Sequence, residues 1–510
     1  MMAVSIPMTV SLKSLLEGIS VIGEVPDLNV SGLSMDSRTV MANDAFLACA
    51  GYQSHGLEYL TQAIDNGASI ILAEVTAEWL PERLELLAAK YDVAFIAISN
   101  LSEQVSLIAG RFYSHPSRSF PVIGITGTNG KTSCSQFIAQ AFSGIRKVAV
   151  LGTLGNGFPG DLETSTHTTM DPVSVQASMS LLKDQKAEMV AMEVSSHALH
   201  QGRVAAIDFD VAVLTNLSRD HLDYHGTMAD YASAKSLLFS MPSLKSALIN
   251  ADDEFGIRLL KDLTKSSVRC IAYGSGIDQL QFKDWIRADN IKASSGGLSF
   301  SVISSWGCAD VDLPLMGKFN VSNALVALGV LLEQGVEFVD AIIGMQKLKT
   351  VSGRMELFSS ENTPSVVIDF AHTPDALEQV LTSLKDHVDK NNSGKLICVF
   401  GCGGDRDKGK RPLMGAVAES LADVVVLTDD NPRHESSIEI IEDILKGIDH
   451  VDNVLVEHDR SKAIADAIKN ASINDVILIA GKGHESYQIQ GDMKFPFSDQ
   501  KVVKAAMGLL

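Results

Sequence analysis

The sequence has 510 residues, of which 46% are hydrophobic and 20% are charged, and its formal net charge is −20. This length is too great for one hydrophobic core, so we expect about three domains of ordinary globular composition. The negative charge argues against a nucleic-acid-binding protein, because a phosphate backbone would be repelled. A local cluster of basic side chains can still hold an anionic substrate.

The cysteines are scattered, at positions 49, 134, 270, 308, 398 and 402, with no Cys-x-x-Cys pair. Reduced thiols in the cytoplasm are the simplest interpretation. The N-terminus lacks the long apolar core of a signal peptide, since Lys13 and Glu17 interrupt it. No stretch approaches the length of a membrane-spanning helix. We therefore expect a soluble, cytoplasmic protein with no membrane insertion.

The first predicted domain covers residues 1–118. Its short apolar runs alternate with helical patterns, which indicates a small α/β unit; the runs are Ala45–Ala50, Ser69–Val75 and Val93–Ile98. The segment from His115 to Pro121 has a proline near each end and predicts a domain boundary.

The most informative stretch follows this boundary and reads V-I-G-I-T-G-T-N-G-K-T-S, from Val122 to Ser133. An apolar run enters a glycine-rich turn, and a helical pattern follows from Cys134 to Phe142. This strand–loop–helix order is typical of a phosphate-binding loop. Glycines let backbone N–H groups approach phosphate oxygens, and the helix N-terminus adds partial positive charge.

In such a loop Lys131 would bridge the outer phosphates and the Thr132 hydroxyl would hold Mg²⁺. The spacing departs from the strict pattern, because five residues rather than four separate Gly124 from Gly130. The alternative is a glycine-rich strand-to-helix turn that binds nothing. Strand, Gly-Lys-Thr and helix in register favour the phosphate loop.

Two further predicted domains, residues 119–350 and 351–510, alternate buried strands with helices. This pattern indicates parallel sheets wrapped by helices, with ligands at the carboxyl ends of the strands. The predicted strands are Val122–Thr126, Val148–Gly152, Met189–Val194, Val211–Asn216 and Ala247–Asn250, then Val366–Phe370, Leu396–Phe400, Val424–Thr428, Val454–Glu457 and Val476–Ala480. In the third domain, the loop Gly401–Gly404 lacks the third glycine of the dinucleotide fingerprint, where Arg406 stands, so it argues against a dinucleotide cofactor.

Two strand ends in the central domain carry polar side chains suited to phosphate chemistry. Glu193 ends one strand, where a carboxylate can coordinate Mg²⁺; alone, it could equally be a solvent-exposed glutamate. The next strand ends in T-N-L-S-R-D-H-L-D-Y-H-G, from Thr215 to Gly226, which places two histidines and two aspartates together. This density favours metal and phosphate binding over a structural role.

The sequence Gly-Thr-Asn-Gly-Lys-Thr resembles the phosphate loop of the Mur ligase superfamily, the ATP-dependent amide ligases of peptidoglycan precursor synthesis, and of their relatives, the folylpolyglutamate synthetases. The run N-L-S-R-D-H-L-D-Y-H-G resembles the central Mur ligase motif, whose first histidine, here His221, helps bind magnesium. Spacing makes Lys235 an ordinary helix lysine. The resemblance implies that it is carbamylated, which would turn a cation into an oxygen ligand for a second Mg²⁺.

The resemblance extends over the whole chain and implies a function for each matched position. ATP would contact Gly127, Thr128, Asn129, Gly130, Lys131, Thr132, Ser133, Asn323, Arg354, Asp369 and His372, with Phe370 in place of an expected tyrosine. Uridine nucleotide would contact Met35, Ser37, Tyr52, Gln53 and Ser54, and the muramoyl dipeptide would contact Thr168, Thr169, Ser195, Gln201 and Arg203. The incoming amino acid would contact Arg406, Asp430, Asn431, Pro432, Arg433, Gly481 and Glu485.

The implied function is addition of meso-diaminopimelate to UDP-N-acetylmuramoyl-L-alanyl-D-glutamate, with ATP as co-substrate, two Mg²⁺ ions, an acyl-phosphate intermediate and a monomeric enzyme. The run Asp430-Asn431-Pro432-Arg433 carries the amino-acid choice, since its family role is recognition of meso-diaminopimelate; alone it would be a proline turn. Catalytic roles fall on Lys131, Glu193, His221 and Lys235. Three alternatives stay open: the same ligase using L-lysine, a folylpolyglutamate synthetase, and a nucleotide-gated binding protein without turnover.

Overall fold

The computed structural model describes residues 9–51, 54–91, 93–165, 167–277, 282–294, 297–360, 363–388 and 393–509, without the side chain of Asp223. Their contacts form two compact units: the described residues of Met1–Ser135, Phe142–Ile249 and Asp253–Cys270, and those of Gln136–Ala141, Asn250–Asp252 and Ile271–Leu510. In this described part, no helix is both long and apolar enough to span a membrane. All six cysteines are free.

The N-terminal part of the first unit is a small α/β fold. Its elements are β1 Val10–Ser11, α1 Leu12–Leu15, β2 Val21–Ile22, β3 Asn29–Val30, β4 Gly32–Ser34, β5 Asp44–Ala48, α2 Leu60–Asp65, β6 Ile70–Val75, α3 Pro81–Ala88, β7 Ala94–Ser99 and α4 Leu101–Phe112. The main sheet has the order β2-β7-β6-β5-β4, parallel except for β2. The three apolar runs predicted here are β5, β6 and β7, shifted by one or two residues.

The rest of the first unit holds the phosphate-loop candidate. Its elements are β8 Val122–Thr126, α5 Lys131–Ala141, β9 Val148–Gly152, β10 Gly155–Phe158, β11 Asp161–Glu163, α6 Pro172–Asp184, β12 Met189–Glu193, α7 Ser196–His200, β13 Val211–Leu214, α8 Leu222–His225, α9 Met228–Ser236, β14 Ser246–Asn250 and α10 Glu254–Leu263. The strand order here is β11-β10-β9-β12-β8-β13-β14, and β9, β12, β8, β13 and β14 are parallel. Helix α5 begins at Lys131, three residues before the predicted start at Cys134.

The second unit begins with an antiparallel ladder that the sequence patterns did not predict. Its elements are β15 Arg269–Gly274, which starts in the first unit, β16 Asp284–Ser294, β17 Gly297–Ser304, β18 Gly307–Leu313, α11 Phe319–Glu333 and α12 Phe338–Met345. Strands β16, β17 and β18 pair antiparallel. Along β16, buried residues alternate with partly buried ones up to Asp289, and exposed residues alternate with partly buried ones from Asn290; the change coincides with a register shift in the ladder between Asp289 and Lys292.

A six-stranded sheet forms the C-terminal part of the second unit. The elements are β19 Glu356–Phe358, β20 Ser365–Asp369, α13 Pro374–Lys385, β21 Leu396–Phe400, α14 Lys410–Leu421, β22 Val424–Leu427, α15 Ser437–Leu445, β23 Val454–Val456, α16 Arg460–Asn470, β24 Val476–Ala480, β25 Tyr487–Gln490, β26 Met493–Pro496 and α17 Asp499–Ala506. The order is β19-β20-β24-β21-β22-β23, parallel except for β19. Apolar clusters cover both faces of this sheet.

These elements confirm the predicted α/β class, with a parallel central sheet and a doubly wound C-terminal sheet. The domain limits at residues 118/119 and 350/351 stay a prediction. The strands Val122–Thr126, Val148–Gly152, Leu396–Phe400 and Val476–Ala480 have the predicted bounds.

Candidate active site

The phosphate-loop candidate lies between two strand ends that carry polar side chains. Strand β8 pairs with β12 on one side and β13 on the other, so that Ile125 is level with Glu193 and Thr126 with Leu214. Chain segments leaving these three parallel strands therefore meet at the carboxyl edge of the sheet, where ligands bind in folds of this kind. Sheet topology thus brings Glu193 and Thr215 to opposite sides of the loop.

Gly127 gives the loop its close fit against β13. Its φ is +148°, and a Cβ at this position would lie 1.8 Å from Thr215 Oγ1. Asn216 fixes the next residues, since its backbone oxygen accepts from Thr128 N at 2.9 Å and its Oδ1 accepts from Asn129 N at 3.0 Å. Any side chain at position 127 would therefore collide with Thr215, and the fold requires glycine there.

Two lysines share one backbone oxygen at the loop. Lys131 Nζ donates to Gly127 O and to Thr128 O at 2.8 Å each, and Lys235 Nζ donates to the same Gly127 O at 2.8 Å. Lys235 is only 1% exposed. Burial, aided by the nearby Lys131 charge, lowers the pKa of Lys235 well below its usual value. Two ammonium groups on one oxygen repel each other, and an anion beside them would relieve this repulsion.

A carboxylate and a hydroxyl stand together at the start of α5. Thr132 Oγ1 donates to Glu193 Oε2 at 2.9 Å, and these side chains belong to residues that are 7% and 1% exposed. Thr153 donates its backbone N–H to Glu193 Oε1 at 2.9 Å and its hydroxyl to Glu193 Oε2 at 3.1 Å. In the described residues no three His, Cys, Asp or Glu side chains gather as a metal cluster. One carboxylate plus one hydroxyl is a donor set that fits a Mg²⁺ shared with substrate phosphates.

His221 lies in an aromatic cluster beside this site. Its backbone is left-handed, with φ at +53°, and its ring lies 4.9 Å from the His197 ring and 6.0 Å from the Tyr231 ring. Tyr231 in turn reaches the loop, because its hydroxyl is 3.2 Å from Thr128 Oγ1 and its ring is 4.5 Å from Lys235 Nζ. Burial raises the pKa of Tyr231 to about 12. The structure therefore brings the predicted His221 and Lys235 into one neighbourhood.

The residues predicted to hold the muramoyl dipeptide also come together, next to Glu193. Thr169 Oγ1 donates to Glu193 O at 2.9 Å and accepts from Ser195 N at 3.0 Å, and Thr168 Oγ1 lies 3.1 Å from Thr153 Oγ1. Arg203 links Thr169 to Gln201, because its guanidinium donates to Thr169 O at 3.0 Å and to Gln201 Oε1 at 2.8 Å. A carboxylate bound here would lie beside the phosphate loop.

The predicted uridine-binding residues lie in the small N-terminal fold. Ser37 is buried and donates to Gln62 Oε1 at 2.7 Å, and Met35 packs against the apolar core of that fold. Ser54 O accepts from Gly51 N at 2.9 Å. Tyr52 and Gln53 lie outside the described residues.

The remaining predicted ATP contacts lie in the second unit. Asn323 is buried in α11 and donates to Asn320 Oδ1 at 2.9 Å. The Asp369 carboxylate accepts from the backbone N–H groups of Met355 and Ala371 at 2.8 Å each. Arg354 lies 5.2 Å from the centre of the Phe370 ring. The backbone oxygen of His372 accepts a hydrogen bond from Lys410 Nζ at 2.8 Å.

The predicted amino-acid contacts lie on loops that follow the adjacent strands β24, β21 and β22. Arg433 has a left-handed backbone with φ at +52°, and its guanidinium donates to Gly404 O at 2.7 Å. Asp430 is buried against Gly481, where a Cβ would lie 2.6 Å from Asp430 Oδ2. Asn431 Nδ2 donates to Glu485 Oε2 at 2.9 Å. Arg406, by contrast, is exposed and bonds only its neighbour, Asp405 O, among the described residues.

Sequence patterns missed several residues that shape these sites. Thr153, which holds Glu193, stands in no motif that the patterns single out. Asn216, which holds the phosphate loop, stands in the run from Thr215 to Gly226, but the patterns gave it no role of its own. Lys482, between Gly481 and Glu485, is fully buried and reaches both Asn431 and Glu485. The sequence offered one sign of Lys482, a lysine between two glycines directly after a buried strand. The burial of Lys482 could not be predicted from this sign, because it depends on contacts with residues distant in sequence.

A phosphate loop on a parallel sheet, with Thr132 and Glu193 side by side, defines a nucleotide-binding α/β protein of the P-loop class. Family models match three segments: "Mur ligase family, catalytic domain" at residues 29–113, "Mur ligase middle domain" at 125–331 and "Mur ligase, glutamate ligase domain" at 353–483. The chain belongs to the Mur ligase family.

Relatives cover almost the whole chain. A protein of Pseudomonas aeruginosa named UDP-N-acetylmuramoyl-L-alanyl-D-glutamate--2,6-diaminopimelate ligase is 46% identical over 484 residues, which is 94% of this chain and 96% of the relative. A protein of the same name from Coxiella burnetii is 44% identical over 483 residues, again 94% and 96%. A solved structure of a ligase of that name matches with a TM-score of 0.70 and 34% identity, covering 98% of this chain and 99% of the other.

Proposed function

We propose that this chain is an ATP-dependent ligase that joins meso-diaminopimelate to UDP-N-acetylmuramoyl-L-alanyl-D-glutamate in peptidoglycan precursor synthesis. The observation that carries the proposal is the arrangement of Lys131, Thr132 and Glu193 at one helix N-terminus, beside a buried Lys235. Relatives named for this activity cover 94% of the chain. The cytoplasm is the proposed compartment, and a monomer is the proposed state.

The proposed reaction has two steps. The γ-carboxylate of the D-glutamate residue attacks the γ-phosphorus of ATP, ADP leaves, and an acyl phosphate forms. The uncharged amine of meso-diaminopimelate then attacks the acyl carbon, and the tetrahedral intermediate expels phosphate while the nitrogen loses its proton. Lys131 and the N–H groups at the start of α5 stabilise charge on the transferring phosphoryl group, which is most of what a protein contributes to such a step.

Mg²⁺ fits the oxygen donors Thr132 and Glu193, and when bound it would neutralise phosphate charge. The network from Glu193 to Thr169 and Ser195 supports placing the acceptor carboxylate next to this point. Thr168, Gln201 and Arg203 would orient the dipeptide there, and Met35, Ser37 and the loop ending at Ser54 would bind uridine.

Lys235 is proposed to carry a carbamate that, with His221, would hold a second Mg²⁺. Two ammonium groups donating to one carbonyl oxygen repel each other, and burial disfavours the charged amine further. An uncharged amine is the form that adds to CO₂. The N–C bond forms as one C=O π bond of CO₂ opens, and the nitrogen releases a proton to solvent. The product is an anion beside Lys131, so carbamylation would turn a repulsive pair into an attractive one.

Amino-acid choice is proposed to rest on Arg433, supported by the side chains around it. Arg433 can meet the second carboxylate of meso-diaminopimelate with two parallel hydrogen bonds. Asp430 and Glu485 are suited to its ammonium group, and Asn431, Pro432, Gly481 and Arg406 shape the surrounding loops. Asn323, Arg354, Asp369 and His372 are proposed ATP contacts.

The test is an ADP-release assay with Mg²⁺, ATP and the UDP-muramoyl dipeptide, with meso-diaminopimelate and L-lysine compared. We expect ADP release and a tripeptide product with meso-diaminopimelate, and far less of both with lysine. Equal rates with lysine would contradict the proposed specificity. No ADP release with either amino acid would contradict the proposed reaction.

A further inference from the structure

A buried lysine lies among the side chains that are proposed to bind the amino acid. Lys482 is 0% exposed, and its Nζ donates to Asn431 Oδ1 and to Glu485 Oε2, at 2.9 Å each. A fully buried lysine is rare unless it is paired. Here both partners are residues of the proposed site, so the burial of Lys482 serves that site rather than a distant core.

Lys482 fixes the orientation of Asn431. Asn431 Oδ1 accepts from Lys482 and from Ile489 N at 2.9 Å each, which leaves the amide nitrogen to donate to Glu485 Oε2 at 2.9 Å. A flipped amide would place its NH₂ group against two donors. Lys482 and the backbone of Ile489 therefore together determine which amide atom reaches Glu485.

Lys482 also fixes Glu485. Oε2 of Glu485 accepts from both Lys482 and Asn431. Within the described part of the chain, Oε1 accepts no hydrogen bond. One carboxylate oxygen is thus anchored while the other remains available to a ligand donor.

The charges of this cluster match an ammonium group. Asp430 and Glu485 supply two carboxylates near one ammonium, that of Lys482, and the buried Arg460 is already paired with Asp499 at 2.8 Å. Both carboxylates therefore face the same Lys482 ammonium. Burial raises the pKa of Asp430, and the Lys482 charge opposes this effect. A bound ammonium would favour the ionised form of Asp430 and pair with the free oxygen of Glu485.

We propose that Lys482 is a positioning residue for amino-acid recognition: it anchors Asn431 and one oxygen of Glu485 so that the other oxygen accepts a hydrogen bond from the ammonium group of the incoming amino acid. This inference rests on the proposed ligase function. It assigns Lys482 no contact with the acyl phosphate or with ATP.

The test is steady-state kinetics of Lys482→Met, which keeps most of the side-chain volume and removes the charge. We expect kcat/KM for meso-diaminopimelate to fall by about 30-fold or more, chiefly through KM, as for loss of one partner in a buried charged pair. KM for ATP and for the UDP-dipeptide should stay within about twofold, since both sites lie on other residues. Lys494→Met is the matched control, because Lys494 is exposed in the same region and its Nζ lies 4.7 Å from the centre of the Tyr487 ring.

A double-mutant cycle tests whether Lys482 acts through Glu485. If it does, Lys482→Met should cost much less in a Glu485→Gln background than alone, since the anchored charge is already gone. Fully additive losses would contradict the proposal. An unchanged KM for meso-diaminopimelate in Lys482→Met would also contradict it, whereas absence of product with the unaltered enzyme would contradict the ligase function itself.

The pH dependence of kcat/KM for meso-diaminopimelate is a further test, because a purely structural role of Lys482 would leave it unchanged. Among the described residues, the titratable and charged groups that interact with Asp430 are Lys482, Arg460, Glu485, Asp499, Tyr487 and Cys402. Removing the Lys482 charge should raise the pKa of Asp430 further, so the acidic limb of kcat/KM for meso-diaminopimelate should move to higher pH. If Lys482→Met does not fold, Lys482→Gln is measured in the same way, and loss of the fold in both would make Lys482 a folding residue and overturn the proposal.

Discussion

The phosphate loop and the proposed amino-acid site are built in different ways. At the phosphate loop, Lys131 and Thr132 are adjacent in sequence, and the register of β12 against β8 brings Glu193 beside them. At the amino-acid site, the loops after β21, β22 and β24 meet, and side chains such as Lys482 tie one loop to the next. A local motif therefore supplies the centre of the first site, whereas the second depends chiefly on contacts between loops.

The difference predicts how each site responds to mutation. Where chemistry depends on a few buried groups around one backbone oxygen, a single change should remove activity. Where recognition depends on several loops held together, single changes should alter selectivity or stability by smaller amounts.

The largest effect is expected for Lys131→Ala. Turnover should be abolished, a loss of ~10³-fold or more, because the cation that stabilises the transferring phosphoryl group is removed. UDP-dipeptide binding, measured by calorimetry, should survive, because most of that site lies on other residues. An equal loss of UDP-dipeptide affinity in the folded variant would contradict this separation of roles.

The phosphate loop was predictable because its chemistry requires glycines, a lysine and a hydroxyl within a few residues. The contact of the loop with Thr215 and the hydrogen bond from Thr153 to Glu193 could not be predicted. The first joins Thr215 to Asn129, 86 positions away in the sequence, and the second joins residues 40 positions apart. The start of α5 at Lys131 was also missed. The residues Lys131, Thr132 and Ser133 carry little apolar periodicity, and the loop geometry rather than the pattern fixes the first turn.

Lys235→Ala should leave a folded protein that is nearly inactive, if its carbamate is a metal ligand. Formate or acetate should restore part of the activity by supplying an oxygen anion at the vacated position. Lys131→Ala is the control, because carboxylates should not rescue it. Unaltered activity of Lys235→Ala would contradict the carbamate, and so would an unmodified amine beside a bound second Mg²⁺ in a crystal structure.

Arg433→Ala should raise KM for meso-diaminopimelate at a cost of about 2–5 kcal/mol, since a buried carboxylate loses its partner. KM for ATP should be nearly unchanged, and the preference over lysine should narrow. Arg433→Lys is the matched variant: it keeps the charge but loses the planar pair of donors, so it should be intermediate. An unchanged ratio of kcat/KM for the two amino acids in Arg433→Ala would place the selection elsewhere.

The third-domain strands were predictable from continuous apolar runs, but the function of the loops between them was not. Arg433 follows a proline in what is otherwise an ordinary turn, and only the family resemblance suggested its role. The structure adds its left-handed backbone and its bond to Gly404 O. Neither feature has a sequence signal, because both depend on the partner loop.

The smallest effect is expected at Glu435. This residue links the loop after β21, which carries Arg406, to the loop after β22, which carries Arg433. Its carboxylate accepts from the buried Arg411 at 3.0 Å and from the backbone of Asp405. The Arg411 guanidinium lowers the pKa of Glu435 to about 2. A folded-state pKa below the ordinary value of 4.5 means that this stabilisation is present above pH 4.5 and is lost as the pH falls toward 2.

Glu435→Gln should therefore lower the free energy of unfolding near pH 7 by about 1–3 kcal/mol, the range for one charged hydrogen bond, and flatten its decline below pH 4.5. Asp443→Asn is the matched control, since Asp443 also accepts from Arg411, at 2.9 Å, but does not bond Asp405 N. Both variants should lose stability in chemical denaturation, whereas only Glu435→Gln should raise KM for meso-diaminopimelate, by a few-fold, because it alone loosens the loop that carries Arg406. Equal kinetic effects of the two changes would mean that Arg411, rather than the bond between the loops, holds the site in place.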